Sequence, residues 1–150
     1  MRRRALFGGM ALAALLALAD APARADGGDA GETMVSAVLI LPADVPAAEG
    51  RATLDVTVSL SNDGAEAATL RVPTPCDVHD WTLSDRDGHV VAERGPEICQ
   101  QVIAEKTLSA GQTLTERRAL RVPGGLRAGA AYRLDYRFWG VAASADFTAK

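Results

Sequence analysis

From Met34 onward the chain alternates apolar and polar residues with a period of two. Thr53 to Leu60 sets Leu54, Val56, Val58 and Leu60 on one face and Thr53, Asp55, Thr57 and Ser59 on the other. That is the pattern of a half-buried antiparallel strand. Val35 to Leu41 is a short apolar run ended by Pro42. Ala68, Leu70 and Val72 alternate with Thr69 and Arg71 until Pro73 and Pro75. Trp81 and Leu83 share a face opposite Asp80, Thr82 and Ser84. Tyr132, Leu134, Tyr136 and Phe138 alternate with Arg133, Asp135 and Arg137. Further strands are predicted over His89 to Glu93 and Thr113 to Val122, with a last, edge strand through Ala143, Ala145 and Phe147.

Turn chemistry separates these runs. Asn62-Asp63-Gly64, Asp85-Arg86-Asp87-Gly88 and Ser109-Ala110-Gly111-Gln112 carry the residues that tolerate tight reversals. Pro123-Gly124-Gly125 is expected to break the strand before it, and Ile98 to Lys106 has room for one helical turn. Seven or eight short strands punctuated in this way predict an all-β fold, an immunoglobulin-like antiparallel β-sandwich ahead of a barrel. Leu126-x-x-Gly129-x-x-Tyr132 stands before the penultimate strand. A tyrosine there bonds back across the corner between sheets in Greek-key sandwiches.

The first 25 residues follow a different pattern. Arg2, Arg3 and Arg4 form a charged start, Leu6 to Leu18 an apolar run, and Ala23-Arg24-Ala25 a small-x-small cleavage site after Pro22. These are the three parts of a secretory signal, and an apolar run of about 13 residues is shorter than the roughly 20 needed to span a bilayer. Residues 1–25 are therefore expected to be removed, 26–33 to form a loose Gly- and acid-rich tail, and 34–150 to form the sandwich. No membrane insertion is expected after cleavage. Ala-rich composition with arginine preferred over lysine points to a bacterial chain in the periplasm or the medium.

The full chain has 16 basic and 19 acidic side chains. The leader holds Arg2, Arg3, Arg4, Arg24 and Asp20, so the mature chain keeps 12 against 18, a net charge of −6. No basic cluster survives cleavage on this reading, which argues against nucleic acid and anionic membranes as partners.

Cys76 and Cys99 are the two cysteines. In an oxidising compartment a lone pair in one small domain is expected to form a disulfide, which contributes about 3 kcal/mol by chain-entropy arithmetic. The competing reading is a soft copper set of Cys76 and His79 with Met34 or His89. It is the weaker one, because export favours pairing of the thiols and one chelating pair is little to build on. No Gly-x-Ser-x-Gly, His-Glu-x-x-His, Cys-x-x-Cys or phosphate-cradling loop is present. No catalytic residue, cofactor or resident metal is therefore expected.

The residues around the expected staple form the candidate binding surface: Asp77, His79, Asp80, Arg94 and Glu97, framed by Pro73, Pro75 and Pro96. Loops held at one end of a sandwich are where such folds place recognition. The partner expected there is another protein.

Four segments also resemble the BsuPI family of intracellular proteinase inhibitor-like domains. They are Val56 to Asn62, Trp81-Thr82-Leu83-Ser84-Asp85-Arg86-Asp87-Gly88-His89-Val90-Val91, Leu108-Ser109-Ala110-Gly111-Gln112-Thr113 and Gly129-Ala130-Ala131-Tyr132-Arg133-Leu134. Cys99-Gln100-Gln101 stands where that family carries an aromatic-rich segment. The resemblance implies an immunoglobulin-like sandwich and a binding role, with protease inhibition as the family's label; the alternative of an inhibitor would present Pro73 to His79 or Arg94 to Gln101, both braced by the expected disulfide. It assigns no inhibitory residue.

Overall fold

The computed structural model describes residues 34–150; the expected leader (1–25) and tail (26–33) lie outside the described residues. The alternating segments all become strands: β1 Val35–Ile40, β2 Ala48–Asn62, β3 Ala68–Val72, β4 His79–Asp85, β5 Val90–Glu93, β6 Ala104–Leu108, β7 Thr113–Leu126, β8 Ala131–Phe138 and β9 Val141–Thr148. Every strand pairing is antiparallel, in a sheet β1-β2-β7, a sheet β5-β4-β8-β9 and a two-stranded ribbon β3-β6. Among the described residues no helix is long and apolar enough to cross a membrane.

The period of two fixes which faces meet. Leu54, Val56, Val58 and Leu60 of β2, with Leu120 and Val122 of β7, line one inner face. Trp81 and Leu83 of β4, with Tyr132, Leu134, Tyr136 and Phe138 of β8, line the other, and these side chains form one buried core. The predicted sandwich is the observed architecture, with nine strands instead of seven or eight. The tyrosine corner is present: the Tyr132 hydroxyl accepts a hydrogen bond of 2.9 Å from the Arg127 amide.

Two local expectations are corrected. Pro123-Gly124-Gly125 does not end β7, because Ala48–Arg51 of the lengthened β2 pairs with Pro123–Leu126 and carries the ladder through. Positive φ at Gly124 and Gly125 lets the strand bend without breaking (95° and 77°). Ile98 to Lys106 holds no helical turn; its end becomes β6, which β3 recruits into a ribbon. The helical turn lies earlier, as a 3₁₀ turn over Pro75–Val78 that leads directly into β4. Asp77 therefore sits in that turn and Asp80 on β4.

The two lateral sides of the sandwich differ. On the β1/β9 side, Val45 and Ala149 form a parallel bridge, Lys150 donates to the Val45 carbonyl (2.9 Å), and both Val45 and Ala149 are buried. On the other side β7 and the four-residue β5 are the two sheet edges, and no backbone ladder joins them.

Candidate functional site

The Cys76–Cys99 disulfide forms, with Cα atoms 5.9 Å apart. It ties the 3₁₀ turn to the irregular segment that runs from Arg94 towards β6. Around it the five expected site residues separate into different roles.

Arg94 binds its own protein. Its backbone amide donates to the Trp81 carbonyl (3.0 Å), and its guanidinium donates to the carbonyls of Cys76 and His79, the latter at 3.1 Å. Asp77 and Asp80 flank it, each with a carboxylate oxygen 3.7 Å from a guanidinium nitrogen. Asp77 is engaged twice, because its Oδ2 also accepts from the Thr74 amide (3.1 Å) and hydroxyl (2.8 Å), which caps the 3₁₀ turn. Asp77, Asp80 and Arg94 thus brace the stapled segment from within. Glu97 stays exposed.

His79 faces inward from β4. Its ring stacks on Phe138 with centroids 4.8 Å apart. Nε2 lies 3.1 Å from Glu116 Oε2 of β7, in the opposite sheet, and Nδ1 lies 2.9 Å from the Tyr136 hydroxyl. Burial, followed by the charge of Arg118, lowers the His79 pKa, against the opposing pull of Glu116 and Glu97. A contact between His79 and Glu116 has the spacing of an ion pair, but the lowered pKa makes the ring neutral at neutral pH. The tautomer follows: a carboxylate only accepts, so Nε2 carries the proton and Nδ1 accepts from the Tyr136 O–H.

Carboxylate, imidazole and hydroxyl stand here in the order of a nucleophilic triad, but the chemistry differs. Tyr136 is 1% exposed, and burial raises its phenol pKa, with Arg118 opposing. An activated nucleophile needs the reverse shift and an open face. The row satisfies buried polar groups between the sheets.

Of the candidate copper ligands, Cys76 and His79 are not free, whereas Met34 is exposed. Cys76 has no thiolate to offer, since its sulfur is in the disulfide. Both His79 nitrogens have partners. His89 turns to Asp85 across the β4–β5 turn, with Nδ1 3.3 Å from Oδ2. Donor atoms of Asp85, Asp87 and His89 lie within 4.8 Å of one another. Their arrangement is that of the turn itself, because Asp85 Oδ1 accepts from the amides of Asp87 and His89, both at 2.9 Å. Hydrogen bonding from the His89 amide first holds the Asp85 carboxyl below its ordinary range.

Two features at this end lie outside the expected set. The stapled segment projects Ile98 at 106% relative exposure, with Val102 and Ile103 also exposed. Beneath it an open cleft of about 730 Å³ separates the Arg94–Glu97 stretch from β7, with Trp81 and Leu120 at its base, Arg117, Arg118 and Arg121 on the β7 side and Glu93 and Glu97 on the other. Arg117, Arg118 and Arg121, within five consecutive residues of β7, correct the expectation that no basic cluster survives cleavage. A signal for it does exist in the sequence: Glu116 and Arg118 share parity with Leu114, Leu120 and Val122, so charge occupies positions where a covered strand needs apolar side chains.

No family model matches the chain, and no curated protein does. Among solved structures it is similar to a beta-glucuronidase from glycoside hydrolase family 2, with 14% identity and a TM-score of 0.46, covering 76% of this chain and 11% of that one. A Bacteroides uniformis beta-glucuronidase is 18% identical with a TM-score of 0.45, covering 75% of this chain and 13% of its own. A calcium binding mutant of Bacteroides uniformis beta-glucuronidase 2 is 17% identical with a TM-score of 0.41, over 75% and 13%. The chain spans a small fraction of the length of each of these proteins.

Proposed function

We propose that this is an exported, non-catalytic binding module that docks another protein through the stapled end of its sandwich. One observation carries the reading: three large aliphatic side chains, Ile98, Val102 and Ile103, stand exposed on a segment of irregular backbone that is anchored at Arg94 and Cys99. Exposed apolar side chains grouped on one braced segment are the usual anchors of a docking surface. Bracing limits the ordering entropy lost on association. Export is supported by the charged, apolar and small-residue parts of the first 25 residues and by a disulfide suited to an oxidising space.

A second reading, a proteinase inhibitor, is favoured by the position of Ile98. Its side chain is fully exposed next to the disulfide-bonded Cys99, open to a protease pocket for branched aliphatic residues. The resemblance to BsuPI-type domains supports the same reading.

The test is capture from an extract of the producing cells with the mature protein, beside an Ile98→Asp/Ile103→Asp variant, plus inhibition assays against elastase-like and trypsin-like proteases. Both changes fall on exposed positions, so circular dichroism should stay native. A partner lost by the variant supports the binding surface, and inhibition of the elastase-like enzyme lost with it selects the second reading. A partner retained at full strength by the folded variant overturns both.

A further inference from the structure

We infer that the open edge of β7 accepts an extended acidic peptide as an added strand, held in the cleft by Arg117, Arg118 and Arg121. This rests on the binding-module reading and names the chemistry of a partner segment for the same end of the fold.

The backbone comes first. β7 pairs with β2 along one edge over its whole length. Along its other edge no backbone hydrogen bond joins it to any described residue. Alternate N–H and C=O groups of an edge strand point outward and are a template for one more strand. β1 and the eight-residue β9 are edges too, joined only beyond their ends by the Val45–Ala149 bridge, and β5 is four residues long, so the 14-residue β7 is the longest open edge. The cleft runs beside it, with Trp81 and Leu120 at its base and Glu93 and Glu97 on the far side from the arginines.

The side chains then select the partner. Arg117 and Arg121 lie on the outer face of β7 and Arg118 on the inner face, all three exposed. Among the described residues none of them is in an ion pair, although Arg71, Arg94 and Arg133 all are. Three unpaired guanidiniums on five consecutive positions repel a second copy of the same edge, which protects the protein from self-pairing. They admit a strand carrying carboxylates, because guanidinium matches carboxylate geometry and the repulsion of other edges gives specificity. A strand laid on β7 presents one set of alternate side chains to Arg117 and Arg121 and the other set to the apolar floor. The matching peptide therefore alternates acidic and aliphatic residues.

A fluorescent peptide of seven residues alternating Glu and Val is titrated onto the mature protein by anisotropy, beside a Lys/Val counterpart. The expected result is binding of the Glu/Val peptide alone. Arg117→Glu/Arg121→Glu should weaken it at least roughly tenfold and create binding of the Lys/Val peptide, while Arg137→Glu on the other sheet leaves both unchanged. Two N-methylated Glu/Val peptides, blocked at odd or at even positions, report on the backbone. Strand addition requires that only one of the two lose binding, because only alternate amides face β7. Equal behaviour of the two, absence of binding to the unmodified peptide, or no charge-swap rescue overturns the inference. If the protein ignores the Glu/Val peptide yet still captures a partner through Ile98, the inference alone fails and the binding-module reading stands.

Discussion

Glu116 Oε2 and His79 Nε2 lie 3.1 Å apart and belong to facing sheets, so one hydrogen bond joins the two layers of the sandwich. Burial first, then the charge of Arg118 of β7, lowers the His79 pKa from 6.5 against Glu116 of β7 and Glu97 of the stapled segment, while Tyr136 of β8 bonds the other ring nitrogen. In the unfolded chain the ring takes up its proton near pH 6.5, whereas the folded ring resists it. The unfolded state then binds more protons, so stability is complete above that pH and declines as the pH falls through it. The urea midpoint should drop between about pH 7 and pH 5, and His79→Gln should flatten that part of the curve. A profile with the same slope in the variant assigns the effect to another group.

Asn62 is 1% exposed and uses its whole amide. Nδ2 donates to the carbonyls of Glu66 (2.8 Å), Leu108 (3.0 Å) and Ser109 (3.2 Å), and Oδ1 accepts from the Gly64 amide (3.1 Å). It therefore locks the end of β2 to the β6–β7 turn. Asn62→Ala should cost about 3 kcal/mol, because buried carbonyls lose their donor. Asn62→Asp, nearly identical in shape, should be worse at neutral pH, since a carboxylate then faces three carbonyls. Chemical denaturation of both variants checks the order, and an Asp variant as stable as wild type excludes this role.

Phe138 and Tyr136 are more completely buried than Trp81, at 0%, 1% and 9%, and Trp139 is only partly buried in the β8–β9 turn. Trp81→Ala and Phe138→Ala should each cost about 3–5 kcal/mol. Trp139→Ala should cost clearly less. Trp139 also holds φ at 52°, so Trp139→Gly relieves backbone strain that offsets part of the lost packing. Urea midpoints that place Trp139 level with the other two would show that the core extends further towards the turn.

Much of this fold is legible in the sequence where one face of a strand is buried and the other wet. Thr53 to Leu60 and Tyr132 to Phe138 show their inner faces residue by residue because the sandwich imposes that contrast. Pro123-Gly124-Gly125 misleads, since its chemistry is that of a turn and only pairing with Ala48–Arg51 makes it strand. β6 is obscured for the same reason: Ala104–Leu108 is a strand because β3 is there to receive it. At the candidate site, Arg94 contacts Asp77, Asp80 and the Cys76 carbonyl beside the staple. Their mutual engagement is set by the turn over Pro75–Val78 and the reach of Arg94 across the staple, which no local pattern carries. Asn62 shows the same gap, being a turn former by composition and a buried anchor only once Leu108 and Ser109 arrive.

Neighbouring glycines in β7 offer a controlled comparison. Gly124 and Gly125 both have positive φ, so a side chain at either meets backbone strain of about 1–2 kcal/mol. Space separates them. A Cβ on Gly124 meets nothing within 4 Å, whereas one on Gly125 falls 1.9 Å from the Ala48 carbonyl oxygen. Gly124→Ala should stay near the strain figure, and Gly125→Ala should cost about 3 kcal/mol or more by forcing β2 and β7 apart. Similar losses for the two would mean that this end of the β2–β7 ladder yields easily.

The staple and the binding surface can be separated by removing the disulfide. Cys76→Ser/Cys99→Ser releases the closed loop in the unfolded chain and should lower stability by about 3 kcal/mol. The core cluster contains neither cysteine, and Arg94 still reaches the Cys76 and His79 carbonyls and pairs with Asp77 and Asp80. The sheets should therefore keep their native circular dichroism at low temperature, with the midpoint of urea unfolding shifted down. Hydrogen exchange at Gly95 to Val102 should rise, because the segment then hangs from the Arg94 bracket alone. Binding through Ile98 should weaken in step with that exchange, since the lost bracing returns as ordering entropy on docking. An unchanged exchange pattern in the folded double variant would show that Arg94 and its two aspartates brace the segment without the disulfide.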